Sequence, residues 1–242
     1  MIGFYTQCAP HDHGLNLTKH AERFYKKYEH SVDYLQLYST FSATSQYPAF
    51  KEYIQSCPEH CSFRGWTHHF LKWKPFLIHE YLKTMEEDDI LVYHDCNLMK
   101  YKEYELGSDK FREHVNLLLE EVDLLGTVEP KILNRTCVKE EVFRALGDFR
   151  TKPVIKTNRI FIRKTRATVK FIEEWLEKCK TPLLYPKTDH LDYDVVHSCD
   201  QAIFNGLYYK YYEPPNVYLK DNTFTKNKII FLTRSKSKPK PK

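Results

Sequence analysis

Glycine is scarce in this chain, with 7 in 242 residues, and neither G-x-G-x-x-G nor G-x-x-x-x-G-K-[ST] occurs. Any phosphate-bearing ligand therefore has no glycine cradle and must be met by cations, either a metal ion or Lys and Arg. A G-x-S-x-G elbow is also missing, which removes the usual signature of an α/β-hydrolase. No apolar run approaches the ~20 residues of a membrane-spanning helix. The opening Met1-Ile2-Gly3-Phe4-Tyr5-Thr6 lacks the basic start and long apolar stretch of a signal peptide and reads as a strand. The seven cysteines (Cys8, Cys57, Cys61, Cys96, Cys137, Cys179, Cys199) are odd in number and scattered. Reduced thiols in a cytoplasmic setting are the expectation, rather than a disulfide framework.

What is present supports a core. Hydrophobic residues make up 42% of the chain and aromatics 15%, so disorder is not the default. The net charge of +5 is concentrated at one end, because Arg234, Lys236, Lys238, Lys240 and Lys242 account for all of it. A neutral body is a poor electrostatic funnel for nucleic acid, so no nucleic-acid partner is expected for it. The chain divides into a domain over residues 1–233 and a Ser/Lys/Pro tail over 234–242 whose composition is that of a disordered segment.

Ile2–Thr6 reads as a buried strand, Thr18 as the cap of a helix carrying Ala21, Phe24, Tyr25 and Tyr28, and Val32–Tyr38 as a second strand. This strand–helix–strand opening predicts an α/β sheet. Pro48 and Pro75 each suit the first turn of a helix, the second with Ile78, Tyr81, Leu82 and Met85 at i, i+3, i+4 and i+7. Ile90-Leu91-Val92-Tyr93 shows no alternation, as expected of a strand buried on both faces. A helix from Ser108 or Asp109, a strand near Leu124–Val128, a helix over Thr136–Leu146 stopped by Gly147 and strand material in Pro153–Arg163 follow. Thr168–Cys179 reads as an amphipathic helix with Trp175 beside its apolar stripe, and Ser198 opens the last helix.

Asp95 directly follows the apolar strand, the position outside a strand's carboxyl end where open α/β sheets bind ligands. Asn97 lies two residues on, and two oxygens so spaced suit Mg²⁺ or Mn²⁺. A turn explains the same two residues, and on spacing alone it is the commoner explanation. Lys74 and Arg64 are cationic candidates for a diphosphate. In His197-Ser198-Cys199-Asp200-Gln201 a capping box of Ser198 and Gln201, with Asp200 favoured by the helix dipole, accounts for the helix start. The same geometry also aims a carboxylate into a cleft. His11-Asp12-His13 and Cys57…His60-Cys61 lack the spacing of a tetrahedral zinc set and read as loop residues. Lys156-Thr157-Asn158-Arg159 is polar and falls, by chain order, near the acceptor side of any cleft.

Four segments in order resemble glycosyltransferases of the GT-A fold. They are Arg64-Gly65-Trp66 with Lys72-Trp73-Lys74-Pro75, Asp89 to Asn97, Phe171-Ile172-Glu173-Glu174-Trp175-Leu176, and His197 to Ile203. They are similar to a group found in bacterial and large-virus surface-glycan loci, which carries a Trp-Lys-Pro helix start, a "D-I-hydrophobic-hydrophobic-Y-x-D" strand and an H-x-x-D-Q-x-I segment. The resemblance implies a GT-A-like (Rossmann-like), mostly parallel sheet flanked by helices in a single domain. It also implies a hexosyl- or deoxyhexosyltransferase that takes a UDP- or GDP-sugar and a hydroxyl of a glycan or glycoconjugate, assisted by Mn²⁺ or Mg²⁺. On that resemblance Asp95 and Asn97 hold the metal, with Asn97 departing from the family's second acid. Thr6, Arg64, Lys74, Asp95 and Gln201 contact the donor, and Asp200 and His197 are the catalytic candidates. Asn97 keeps one other expectation open, a module that binds nucleotide-sugar or glycan without turnover on the same fold; a nucleic-acid-binding protein using the basic tail and the 18 tyrosines is a less favoured alternative.

Overall fold

A computed structural model describes residues 2–4, 26, 29, 32–38, 45–56, 62–63, 66–67, 73–95, 113, 115–116, 119, 122–181 and 199–212. Its strands are β1 (Ile2–Phe4), β2 (Gln36–Tyr38), β3 (Ser62–Phe63), β4 (Trp66–Thr67), β5 (Ile90–Asp95), β6 (Leu124–Leu133) and β7 (Pro153–Arg163). The helices are α1 (Pro48–Ser56), α2 (Trp73–Lys83), α3 (Glu140–Leu146), α4 (Arg166–Lys178) and α5 (Cys199–Tyr211). Among the described residues, no helix is long and apolar enough to cross a membrane.

Five strands form one sheet in the order β2-β1-β5-β7-β6, and β3 pairs with β4 in a separate antiparallel ribbon. The expected GT-A-like, mostly parallel sheet is therefore corrected. β1 runs parallel to β2 and to β5, but β7 runs antiparallel to both β5 and β6. The antiparallel half contains the longest strands, of 10 and 11 residues. The physical reason is that a continuous apolar run reports burial on both faces and carries no information about the direction of its neighbours. Elsewhere the expected boundaries move: β2 begins at Gln36 rather than Val32, and the helix expected from Thr136 starts at Glu140 after a 3₁₀ turn over Asn134–Thr136. The helix with Ala21, Phe24, Tyr25 and Tyr28 and the tail over 234–242 lie outside the described residues.

One face of the sheet carries the main core. Leu91 and Tyr93 of β5, Leu124 of β6 and Ile155, Ile160 and Ile162 of β7 pack with side chains from all five helices, including Phe76, Ile78, Ile172, Trp175, Ile203 and Phe204. By strand alternation Val92, Leu125, Val154 and Phe161 face the other way and are buried too. Val115 and Leu119 are buried outside the main cluster, and the Leu119 carbonyl accepts a hydrogen bond from Arg163 Nη2 at 2.9 Å. The helix ends follow local chemistry. Thr165 and Thr168 cap α4 reciprocally, Thr165 Oγ1 accepting from Thr168 N and Thr168 Oγ1 from Thr165 N. Gly147 ends α3 at φ +102°, a conformation that other residues rarely adopt. The buried Tyr208 phenol donates to the Leu124 carbonyl at 3.3 Å, and its burial pushes its pKa well above the usual tyrosine value.

Gly126 explains how β6 lies so close to β7. A Cβ at this position would stand 2.5 Å from Ile155 Cγ2 and 2.9 Å from the Lys156 carbonyl oxygen. The pairing register shifts directly after it. Gly126→Ala should destabilise the fold by about 1–3 kcal/mol through this overpacking. Chemical denaturation measures the loss, and an unchanged midpoint would mean that the two strands can separate without cost.

Candidate functional site

The order β2-β1-β5 places β1 between its two parallel neighbours, so the chain leaves β1 toward one side and β5 lies on the other. The carboxyl ends of β1 and β5 thus bracket a topological switch point, where sheets of this kind open a crevice. Phe4 and Asp95 are register partners there, which sets the Asp95 backbone at the last position of β5. β7 runs the opposite way, with Arg159 opposite His94, so Lys156 and Thr157 extend beyond the carboxyl end of β5.

At that same end, three elements bring charge together. Lys74 lies in the first turn of α2, where Pro75 is tolerated because the N–H it lacks has no partner within the helix. Asp200 lies in the first turn of α5. The Lys74 ammonium stands 3.2 Å from Asp200 Oδ2, and the two side chains are only 5% and 1% exposed. Thr157 of β7 completes the triangle. Its hydroxyl donates to Asp200 Oδ2 at 3.1 Å and accepts from Lys74 Nζ at 3.4 Å. Burying two charges costs several kcal/mol each, which the attraction between them offsets only when further hydrogen bonds complete the geometry. The Thr157 hydroxyl supplies one of those bonds.

The first two turns of α5 are held by side chains rather than by packing alone. Trp175 of α4, fully buried, donates its indole N–H to the Asp200 carbonyl at 2.9 Å. Gln201 Oε1 accepts from the Thr157 amide at 3.4 Å, so its carboxamide serves β7 rather than only the cap of its own helix. Asn205, one turn further along the same face, accepts from Ile155 N and donates to the carbonyls of Ile155 and Gln201, each at 2.7 Å.

Of the residues expected from sequence, Lys74, Asp200 and Gln201 come together, and Thr157 of the polar 156–159 run joins them. Asp95 contributes its backbone position at the rim, while its side chain lies outside the described residues. Thr6, Arg64, Asn97 and His197 also lie outside the described residues, as do His11, Asp12, His13, Cys57, His60 and Cys61. The sequence reading missed Asn205 and the anchoring role of the Trp175 indole. Asn205 had one legible signal, a carboxamide between the apolar stretches Ala202-Ile203-Phe204 and Leu207-Tyr208, four residues after another carboxamide.

The donor chemistry for a divalent metal is incomplete among the described residues. No three His, Cys, Asp or Glu side chains converge on one point there, and the Asp200 carboxylate is committed to Lys74. No family model matches the chain, and neither a curated protein nor a solved structure is significantly similar to it.

Proposed function

We propose that the protein is a glycosyltransferase, moving a sugar from a nucleoside diphosphate sugar, UDP- or GDP-linked, to a hydroxyl of a glycan or glycoconjugate. One observation carries this reading: a buried Lys74–Thr157–Asp200 cluster stands beyond the carboxyl end of β5, the strand whose last residue is Asp95. Three of the four sequence segments that resemble glycosyltransferases contribute Lys74, Asp95, Asp200 and Gln201 to that end, and the fourth contributes the Trp175 indole that holds the Asp200 carbonyl.

In this reaction the acceptor oxygen attacks the anomeric carbon as the bond to the diphosphate breaks. Two tasks fall to the protein: taking the acceptor's proton and offsetting the charge that develops on the leaving diphosphate. Asp200 takes the proton, with the acceptor hydroxyl replacing Thr157 as one of the donors to its carboxylate. Lys74 supplies a positive charge beside both groups, a point charge rather than a bidentate clamp. Asp95 and Gln201 orient the donor at the rim. Mn²⁺ or Mg²⁺ has no complete ligand set among the described residues, so no step is routed through a metal.

A second reading has a specific observation in its favour. Asp200 is 1% exposed and already holds two hydrogen-bond donors, as suits a structural anchor in a module that binds nucleotide-sugar without turnover. A panel of UDP- and GDP-sugars with product NMR separates the two. Turnover of one donor into an acceptor-linked sugar is the expected result, and binding by calorimetry without product would favour the module. A chain that neither binds nor consumes any of the donors would exclude both.

A further inference from the structure

Past Arg159, the last β7 residue that β5 pairs with among the described residues, β7 continues for several residues. The Arg163 N–H bonds the Asp123 carbonyl on the β6 side, so by alternation the Arg159 backbone also faces β6, and the register of β7 against β6 shifts between Ile160 and Lys156. Beyond that shift the Asn205 carboxamide meets both the N–H and the C=O of Ile155, and the Gln201 carboxamide meets the N–H of Thr157. Two carboxamides four apart on α5 thus take the place of a strand.

We propose that Asn205 is the positioning residue of the site. Its carboxamide locks the strand that carries Thr157 to the helical turn that carries Asp200 and Gln201. Only a carboxamide fits all three bonds, because the position asks for one acceptor and two donors from a side chain that is fully buried. Asp keeps the acceptor and loses both donors, and Ala loses all three. Asn205 stays out of contact with substrate; it sets the geometry of groups that make contact. This inference rests on the proposed sugar transfer only in its kinetic part.

The test uses Asn205→Ala and Asn205→Asp in the full chain, read by residue-resolved chemical labelling and mass spectrometry. Lys74, 4% exposed, reports opening of the site to an amine-acetylating reagent. Cys179, fully buried at the end of α4, reports opening of the whole core to a thiol-alkylating reagent. Acetylation of Lys74 should rise roughly tenfold or more in Asn205→Ala, and at least as much in Asn205→Asp, whose buried carboxylate would face two carbonyls without a counter-charge, while Cys179 stays protected. A parallel rise at Lys74 and Cys179 would mark Asn205 as a general stability residue and overturn the proposal, as would no rise at Lys74 in a folded variant. Should Asn205→Ala fail to fold, Asn205→Ser, which keeps one uncharged hydrogen-bonding group, decides by the same two readings. Once a donor is known, kcat should fall by about 10–100-fold with donor KM nearly unchanged, the pattern of misplaced groups rather than of lost binding. The labelling result stands even if no sugar nucleotide is turned over, so failure of the transferase reading and failure of this inference are told apart.

Discussion

Lys74→Met should lower the free energy of unfolding by about 3–5 kcal/mol, because it leaves the Asp200 carboxylate buried without its counter-charge. For a chain of this length that corresponds to a fall in Tm of roughly 6–20 °C. Thr157 cannot compensate, since its hydroxyl offers a hydrogen bond and no charge. A large part of the loss should return in the double variant Lys74→Met/Asp200→Leu, where no charge remains to be desolvated and a similar volume is filled. The comparison is informative beyond stability. An apolar pair that restores the fold would mean that the ion pair is kept for something other than folding. A single Lys74→Met variant as stable as the parent, measured by denaturant titration, would show that water reaches Asp200 and that the pair is not sealed from solvent.

Asp95→Ala should reduce donor turnover by about 10²–10³-fold or more while leaving the protein folded. The fold is expected to survive because Asp95 ends β5, and the core contributed by that strand comes from Leu91, Val92 and Tyr93 before it. Catalysis is expected to suffer because its backbone is paired with Phe4 at the mouth of the switch point, where a donor diphosphate would lie. Loss of both transfer and hydrolysis of the sugar nucleotide distinguishes a donor-binding role from an acceptor-binding one, which would spare hydrolysis. Wild-type turnover in Asp95→Ala would remove the central residue of the proposed function.

Much of the element inventory was readable residue by residue. Ile90-Leu91-Val92-Tyr93 announced two-sided burial through its unbroken apolar run, and Leu91, Val92 and Tyr93 are all buried. Spacing at i, i+3 and i+4 located α2 and α4, and Gly147 marked the end of α3. Strand direction was not readable. Whether β7 runs with β5 or against it depends on which edges meet, and the side-chain pattern of a strand buried on both faces is compatible with either.

The candidate site shows the same division. Lys74, Asp200 and Gln201 could be singled out as polar groups in the opening turns of predicted helices, and Thr157 as part of a polar run in a strand. Their meeting could not be read, since Lys74 and Thr157 are 83 residues apart and Thr157 and Asp200 are 43 apart. The capping box expected of Gln201 rested on local geometry; in the folded chain its carboxamide reaches a β7 amide that only tertiary packing brings near. By itself the sequence determined the helical or extended character and the apolar faces of the longer described segments, such as α2, β5 and α4, because those properties depend on neighbours within a turn or a pleat. Only the tertiary structure decided the mixed sheet, the Lys74–Asp200 pair and the use of Asn205 in place of a strand. Each of these is a contact between distant parts of the chain, and the burial that makes it consequential exists only once the helices have closed over the sheet.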